Sequence, residues 1–205
     1  LPIYGIVSFT SGATEALNWA IKGSSGPIVT VATEHAAVLD TVAAEARRGR
    51  AVTVLPVGGD GLVELAAARE AIKPGVGLVA VMLVNNEIGT IQPLDELAAL
   101  AKGAGALLLC DAVQGYGREI IPAACDLVAV SAHKVHGPKG VGALWIRNGV
   151  ELEPLMHGGG QEPGGRSGTL SPALCAGFGA AATLAKQRFG ADRGHVAQLF
   201  RKAYQ

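Results

Sequence analysis

Short runs of consecutive apolar residues punctuate the chain at positions 6–9, 28–31, 51–55, 78–84, 106–110, 126–130 and 142–146. Their apolar character is continuous rather than alternating, which predicts strands buried on both faces. Between them lie segments with helical spacing of apolar positions, at 13–22, 36–48, 63–72 and 94–102. Gly23, Gly49 and Gly103 follow three of these segments as C-cap candidates, Pro74 follows another, and Pro93 stands just before the next start. Alternating β and α elements with short connections predict an α/β fold, a mostly parallel seven-stranded sheet flanked by helices and built from right-handed crossovers. A Gly-rich loop rather than a helix joins the last two strands, so the strand at 142–146 is expected to run antiparallel. After Pro172 the pattern predicts an Ala-rich helix to about Arg188 and a second, partial helix to the end. The chain divides into residues 1–170, one large domain, and 171–205, a helical region.

In a sheet of this kind ligands bind beyond the carboxyl ends of the strands, where loops diverge and helix N-termini point inward. The residues just past the strand ends are 10–14 (TSGAT), 33–35 (TEH), 85–87 (NNE), 111–114 (DAVQ) and 131–134 (SAHK). Nearly every polar group embedded in apolar sequence falls in one of these five loops. They predict a single cleft.

Composition narrows what that cleft can bind. Seventeen Lys+Arg balance seventeen Asp+Glu, so the basic footprint of a nucleic-acid binder is missing, and the expected ligand is a small neutral or anionic molecule. No apolar run approaches the length that spans a bilayer, so no membrane segment is predicted. Three cysteines, at 110, 125 and 175, form neither a CxxC pair nor an even disulfide set, and no secretory signal opens the chain. A reducing cytoplasm is the compartment expected. The start at Leu1, without Met, predicts a preceding N-terminal segment.

The candidate chemistry is uneven when taken loop by loop. Ser11 to Thr14, with Ala13 opening the helix, could present unpaired N–H groups to an anion, or Ser11 could be an ordinary N-cap. Asp111 ends the apolar stretch ALLLC and needs a cation or several donors; a protonated ring nitrogen, a helix cap and solvent are the alternatives. Lys134 directly follows an apolar strand, where partial desolvation favours Schiff-base chemistry, although a Lys that snorkels to water fits the same position. His133 and His136 lack a third ligand at suitable spacing, so no metal site is predicted. His35 reads as a loop residue or as a ring stacked on a flat cofactor. Asn86 and Gln114 offer neutral hydrogen-bonding groups to a ring hydroxyl or to a turn. The GPKGVG segment precedes a strand rather than a helix, which removes the P-loop and the dinucleotide turn.

In combination these segments are more specific. FTSGATEALN, ATEHAAVLDT, VNNEIGTIQP, DAVQ, SAHKVHGPKGVGAL and GGGQEPGGRSGTLS occur in this order, and the series resembles the cysteine desulfurases of the class V aminotransferase group, from about Val7 to at least Thr183. The resemblance implies the large domain of the pyridoxal-phosphate (PLP) fold type I transferases and a cofactor bound covalently at Lys134. By the same resemblance Asp111 pairs with the pyridinium nitrogen, His35 stacks on the ring and takes part in catalysis, and Gln114 and Asn86 contact the ring oxygen side. Ala13, Thr14, Ser131 and His133 hold the phosphate, and Thr169 reaches the phosphate of the partner subunit in a homodimer. The implied reaction takes sulfur from L-cysteine as a protein persulfide, leaves alanine, and passes sulfur to an acceptor protein, an iron-sulfur scaffold or a tRNA-thiolation protein. The family's sulfur-accepting Cys and substrate-carboxylate Arg lie further along than this chain runs, so a fragment lacking the catalytic Cys loop and the C-terminal small domain, inactive alone, is expected. Other class V activities, selenocysteine lyase or aminotransferase, and a non-catalytic PLP-binding domain are the alternatives.

Overall fold

The computed structural model describes residues 4–203; the expectations attached to Leu1 and to the last two positions lie outside the described residues. Seven strands, β1 (Gly5–Thr10), β2 (Ile28–Val31), β3 (Val52–Leu55), β4 (Leu78–Met82), β5 (Leu107–Asp111), β6 (Leu127–Ser131) and β7 (Gly142–Arg147), form one sheet in the order β1-β7-β6-β5-β4-β2-β3. The five strands from β2 to β6 are mutually parallel, and β7 runs antiparallel to both of its neighbours, β6 and β1. That reversal follows from the short, Gly-rich connection after β6, which cannot make a crossover.

The helices are α1 (Ala13–Gly23), α2 (Ala36–Arg47), α3 (Leu65–Ala71), α4 (Leu94–Ala104) and α5 (Pro172–Ala203). Strand residues feed two cores alternately, as a period of two requires. Leu108, Cys110, Val128 and Val130 face the core shared with α3, α4 and Phe178 of α5. Leu109, Leu127 and Ala129 face the core shared with Ala16, Leu17, Ala20 and Ile21 of α1 and with Val38 and Val42 of α2. The central strands are therefore apolar on both faces, as their continuous runs predict.

Four local expectations are corrected. Gly23 is the last residue of α1, whose C-cap is Ser24. Gly103 lies inside α4, and the left-handed C-cap is Gly105, at φ 73°. Ser11 does not cap α1: the N-cap is Gly12, with no side-chain cap bond. The break expected near Arg188 does not occur, because α5 continues through Gly190 and Gly194. An i,i+4 pair between Arg188 and Asp192 spans the first glycine, and Arg193 bonds Glu119 from the next turn.

Candidate active site

All five loops singled out in the sequence open on the same end of the sheet, and four of them line an open cleft of about 490 Å³. The fifth, carrying Thr33 and Glu34, reaches it through His35.

At one end of the cleft, β1 passes into α1. The N–H groups of Gly12, Ala13, Thr14 and Glu15 begin the helix and have no intrahelical acceptor, which makes this turn attractive to an anion. The turn is held from two sides. Thr10 Oγ1 donates to Gly12 O at 2.9 Å, and the Ser11 N–H donates to Glu15 Oε2 at 2.7 Å. Gly142, the first residue of β7, pairs with Thr10 on one side and Ser131 on the other. A Cβ at Gly142 would stand 2.7 Å from Gly12 C and Val130 O, so only glycine lets the strands close up beneath the anion turn.

In the middle, β6 passes into a short 3-10 turn at Ala132–Val135 that carries Lys134. The turn closes on His136 at φ 64°, the one described non-glycine residue with positive φ, a left-handed conformation that costs free energy and that surrounding structure must impose. His136 N–H bonds back to Ala132 O, and Gly137 N donates to the same oxygen at 2.9 Å. Ser131 Oγ and His133 Nδ1 are hydrogen-bonded at 2.8 Å. Arg118 donates to Lys134 O at 2.7 Å and to Gln114 O at 3.3 Å, so one guanidinium ties the lysine turn to the loop after β5.

At the far side stands Asp111, 4% exposed, at the end of β5. Its Oδ1 accepts from Val113 N at 2.9 Å. Burial raises the Asp111 carboxyl above its usual range, while the Val113 N–H opposes the shift. His35 is the N-cap of α2, its Nδ1 accepting from Ala37 N at 3.0 Å. A backbone N–H can only donate, so Nδ1 is the unprotonated nitrogen and Nε2 carries the hydrogen.

Ala13, Thr14, His35, Asn86, Asp111, Gln114, Ser131, His133 and Lys134 thus line one cleft. Thr169, exposed in the loop before α5, does not line it. Asn85, which precedes Asn86, is buried and structural: it donates to Thr33 O at 2.8 Å and accepts from Glu87 N at 2.8 Å and Ile88 N at 3.0 Å. Sequence reasoning missed Glu15, Lys139 and Gly140, which also line the cleft, and Arg118 and Arg166, which brace it. Glu15 was visible as an acidic residue in a first helical turn; nothing in the sequence pairs it with Arg166, more than a hundred residues away. Burial pulls the Glu15 carboxyl upward, but that pairing and the hydrogen bonds from Ser11 together hold it below its usual range.

The donor set can be tested against a ligand. A buried carboxyl suits a protonated ring nitrogen, a lysine amine suits an aldehyde, and unpaired N–H groups beside a hydroxyl and an imidazole suit a phosphate. These residues fit PLP. Among the described residues no group of three or more His, Cys, Asp or Glu is placed to hold a metal ion, and no helix is long and apolar enough to cross a membrane.

Known proteins resemble the chain over most of its length. The chain is 44% identical over 205 residues to a mitochondrial cysteine desulfurase of Saccharomyces cerevisiae, covering 94% of this chain and 41% of the relative. It is 43% identical over 210 residues to a mitosomal cysteine desulfurase of Encephalitozoon cuniculi, covering 96% and 49%. A solved NifS-like protein superposes with a TM-score of 0.89 at 36% identity, over 96% of this chain and 57% of that one. The chain spans about half the length of the curated relatives it matches. Their mitochondrial and mitosomal names overturn the cytoplasmic expectation drawn from the cysteines; cysteine spacing does not distinguish the cytoplasm from other compartments that keep thiols reduced. The Aminotransferase class-V model matches residues 4–205, and the chain belongs to the class-V aminotransferase family.

Proposed function

We propose that this chain carries the cofactor-binding part of a PLP-dependent cysteine desulfurase, with Lys134 as the covalent anchor of the cofactor. The observation that supports this most is that Asp111, at the end of β5, and Lys134, just after β6, line one cleft. On this reading residues 1–170 form the PLP-binding domain and 171–205 a helical extension of it.

Bound PLP supplies an aldehyde that an amine can attack and a protonated ring that draws electron density from the substrate's bonds. The chain's own residues do the rest. Lys134 Nζ would hold the cofactor through its aldehyde carbon. The Asp111 carboxylate holds the proton on the ring nitrogen. His35, turned by its bond to Ala37, presents a ring face for stacking. Asn86 and Gln114 bind the ring oxygen side through their amides. The N–H groups of Ala13 and Thr14, the Thr14 hydroxyl, Ser131 and His133 hold the phosphate, where an anion gains from the α1 N-terminus. Thr169 is exposed and stands outside its own cleft, which supports a role at the phosphate of a partner subunit in a homodimer.

The substrate is L-cysteine. Its sulfur passes to a protein thiolate as a persulfide, a proton takes the place of sulfur on the substrate carbon, and alanine leaves. None of the three cysteines suits that thiolate. Cys110 and Cys125 are fully buried free thiols, and the Cys110 thiol is held well above its usual range by a hydrogen bond with Cys125 and by burial. Cys175 sits in α5 with its thiol raised by burial and by Glu162. The sulfur then goes to an acceptor protein, an iron-sulfur scaffold or a tRNA-thiolation protein.

Incubation with PLP, borohydride reduction and peptide mass mapping test the reading. Phosphopyridoxyl on Lys134, lost in Lys134→Ala, is the expected result. Label on another residue, or none on a folded sample, would overturn it.

A further inference from the structure

The most completely enclosed ion pair at the cleft is one that the chemistry above does not use. Arg166 Nε donates to Glu15 Oε1 at 2.8 Å and Nη2 to Glu15 Oε2 at 3.2 Å, and the two side chains are only 10% and 12% exposed. The pair joins two segments far apart in sequence. Glu15 lies in the first turn of α1, lines the cleft and accepts the Ser11 N–H. Arg166 lies in the loop before α5 and donates to Gly168 O at 3.0 Å through Nη1, so it also shapes the backbone just ahead of Thr169. Gly168 stands at φ 116°, a region that favours glycine.

Electrostatics gives this pair a sign. A carboxylate in the first turn of a helix occupies the place where an anionic ligand would bind and compensates the same helix dipole. Left unpaired, Glu15 would oppose a phosphate at the N–H groups of Gly12 to Thr14. The forked guanidinium cancels that charge at both oxygens. Glu162 is the other acid near Arg166; its Oε2 is occupied by the Phe9 N–H at 2.8 Å.

We propose that Arg166 and Glu15 are a positioning pair for the anionic end of the ligand: Arg166 neutralises the Glu15 carboxylate, so the α1 turn stays attractive to phosphate, and anchors the segment that carries Thr169. This rests on reading the cleft as a PLP site and deepens it.

The test compares PLP with pyridoxal, which lacks the phosphate, on cofactor-free protein. Affinity is read from the absorbance of the lysine adduct for wild type, Arg166→Gln, Arg166→Lys, Glu15→Gln and the Glu15→Gln/Arg166→Gln double variant, with melting temperatures recorded for each. The expected result is that Arg166→Gln lowers the PLP-to-pyridoxal affinity ratio by about tenfold, that Glu15→Gln does not lower it, and that the double variant recovers it. Arg166→Lys, which keeps the charge and loses the fork, holds the ratio within about threefold of wild type and serves if Arg166→Gln does not fold. Equal losses for PLP and pyridoxal in Arg166→Gln and Glu15→Gln would reduce the pair to a structural clamp and overturn the proposal. Titration with inorganic phosphate separates the two claims. If wild type makes no lysine adduct but binds phosphate, and Arg166→Gln abolishes that binding, the cofactor reading falls and the pair's role stands.

Discussion

Glu34 Oε1 accepts the Met82 N–H at 2.8 Å, at the strand position in register with Asp111. The β2–β4 ladder ends at Thr30 and Ala80, and beyond it the glutamate side chain takes the place of a strand carbonyl. Its other oxygen, Oε2, is buried with no hydrogen-bond partner among the described residues, and Glu34 as a whole is 6% exposed. Burial raises this carboxyl well above its ordinary 4.5, Asp111 adds to the rise, and the Met82 N–H opposes it. A raised folded-state value means that the group's contribution is complete below pH 4.5 and is lost as pH climbs toward the folded-state value.

Glu34→Gln keeps an acceptor for Met82 and removes the titration. The stability of cofactor-free wild type should therefore fall relative to the variant as pH rises above 4.5, by up to about 1.4 kcal/mol per pH unit. Urea denaturation across the pH range from acid to neutral checks it; parallel curves for the two proteins would show that Glu34 does not titrate in this way.

Asp111→Asn should weaken PLP binding by about 100-fold, in keeping with the roughly 3 kcal/mol lost when a buried ion pair is broken from one side. Spectroscopic titration of cofactor-free protein measures it. The same variant should not lose thermal stability without cofactor, because burial already disfavours the Asp111 charge.

Gly142→Ala places a methyl group 2.7 Å from Gly12 C and 2.8 Å from Gly12 Cα. Those atoms are backbone and cannot step aside as a side chain could. The expected cost is about 1–3 kcal/mol of stability, with weaker PLP binding, since the atoms displaced belong to the anion turn. Melting temperature and cofactor titration on the same sample report both; unchanged values in each would show that the turn yields freely.

Alkylation of the folded protein by iodoacetamide should leave Cys110 and Cys125 unmodified and modify Cys175 slowly. The first two are 0% exposed, and the Cys175 thiol, half-buried, is raised by burial and by Glu162. Mass mapping of the cysteine peptides reads the order, and rapid labelling of Cys110 without unfolding would contradict it.

The parts of this molecule legible in sequence are those where local chemistry and global placement agree. The runs that became β2 and β4 to β6 are apolar on both faces because two cores need them. The polar residues after them had nowhere to go but the strand ends. The antiparallel direction of β7 could be read from the Gly-rich loop before it, since no helix was available for a crossover. Capping was less legible. Gly103 and Gly105 are equally plausible stops for α4, and only the backbone distinguishes them. The continuity of α5 through Gly190 and Gly194 was hidden because each glycine costs a helix about 1 kcal/mol, and the Arg188–Asp192 pair across Gly190 and the Arg193–Glu119 pair beside Gly194 belong to the folded form. Arg166 was hidden for a deeper reason. An ion pair between distant segments leaves no local pattern, and its partner Glu15 looks like ordinary helix-end decoration until the chain is folded.

The reversed strand β7 acts as a ruler. Because it lies between β1 and β6, the anion turn and the lysine turn stand two inter-strand spacings apart, about 10 Å, an interval set by main-chain hydrogen bonding alone. Side chains around the cleft can be exchanged to alter which reaction is favoured, but the length of the molecule that bridges those two turns is written into the sheet.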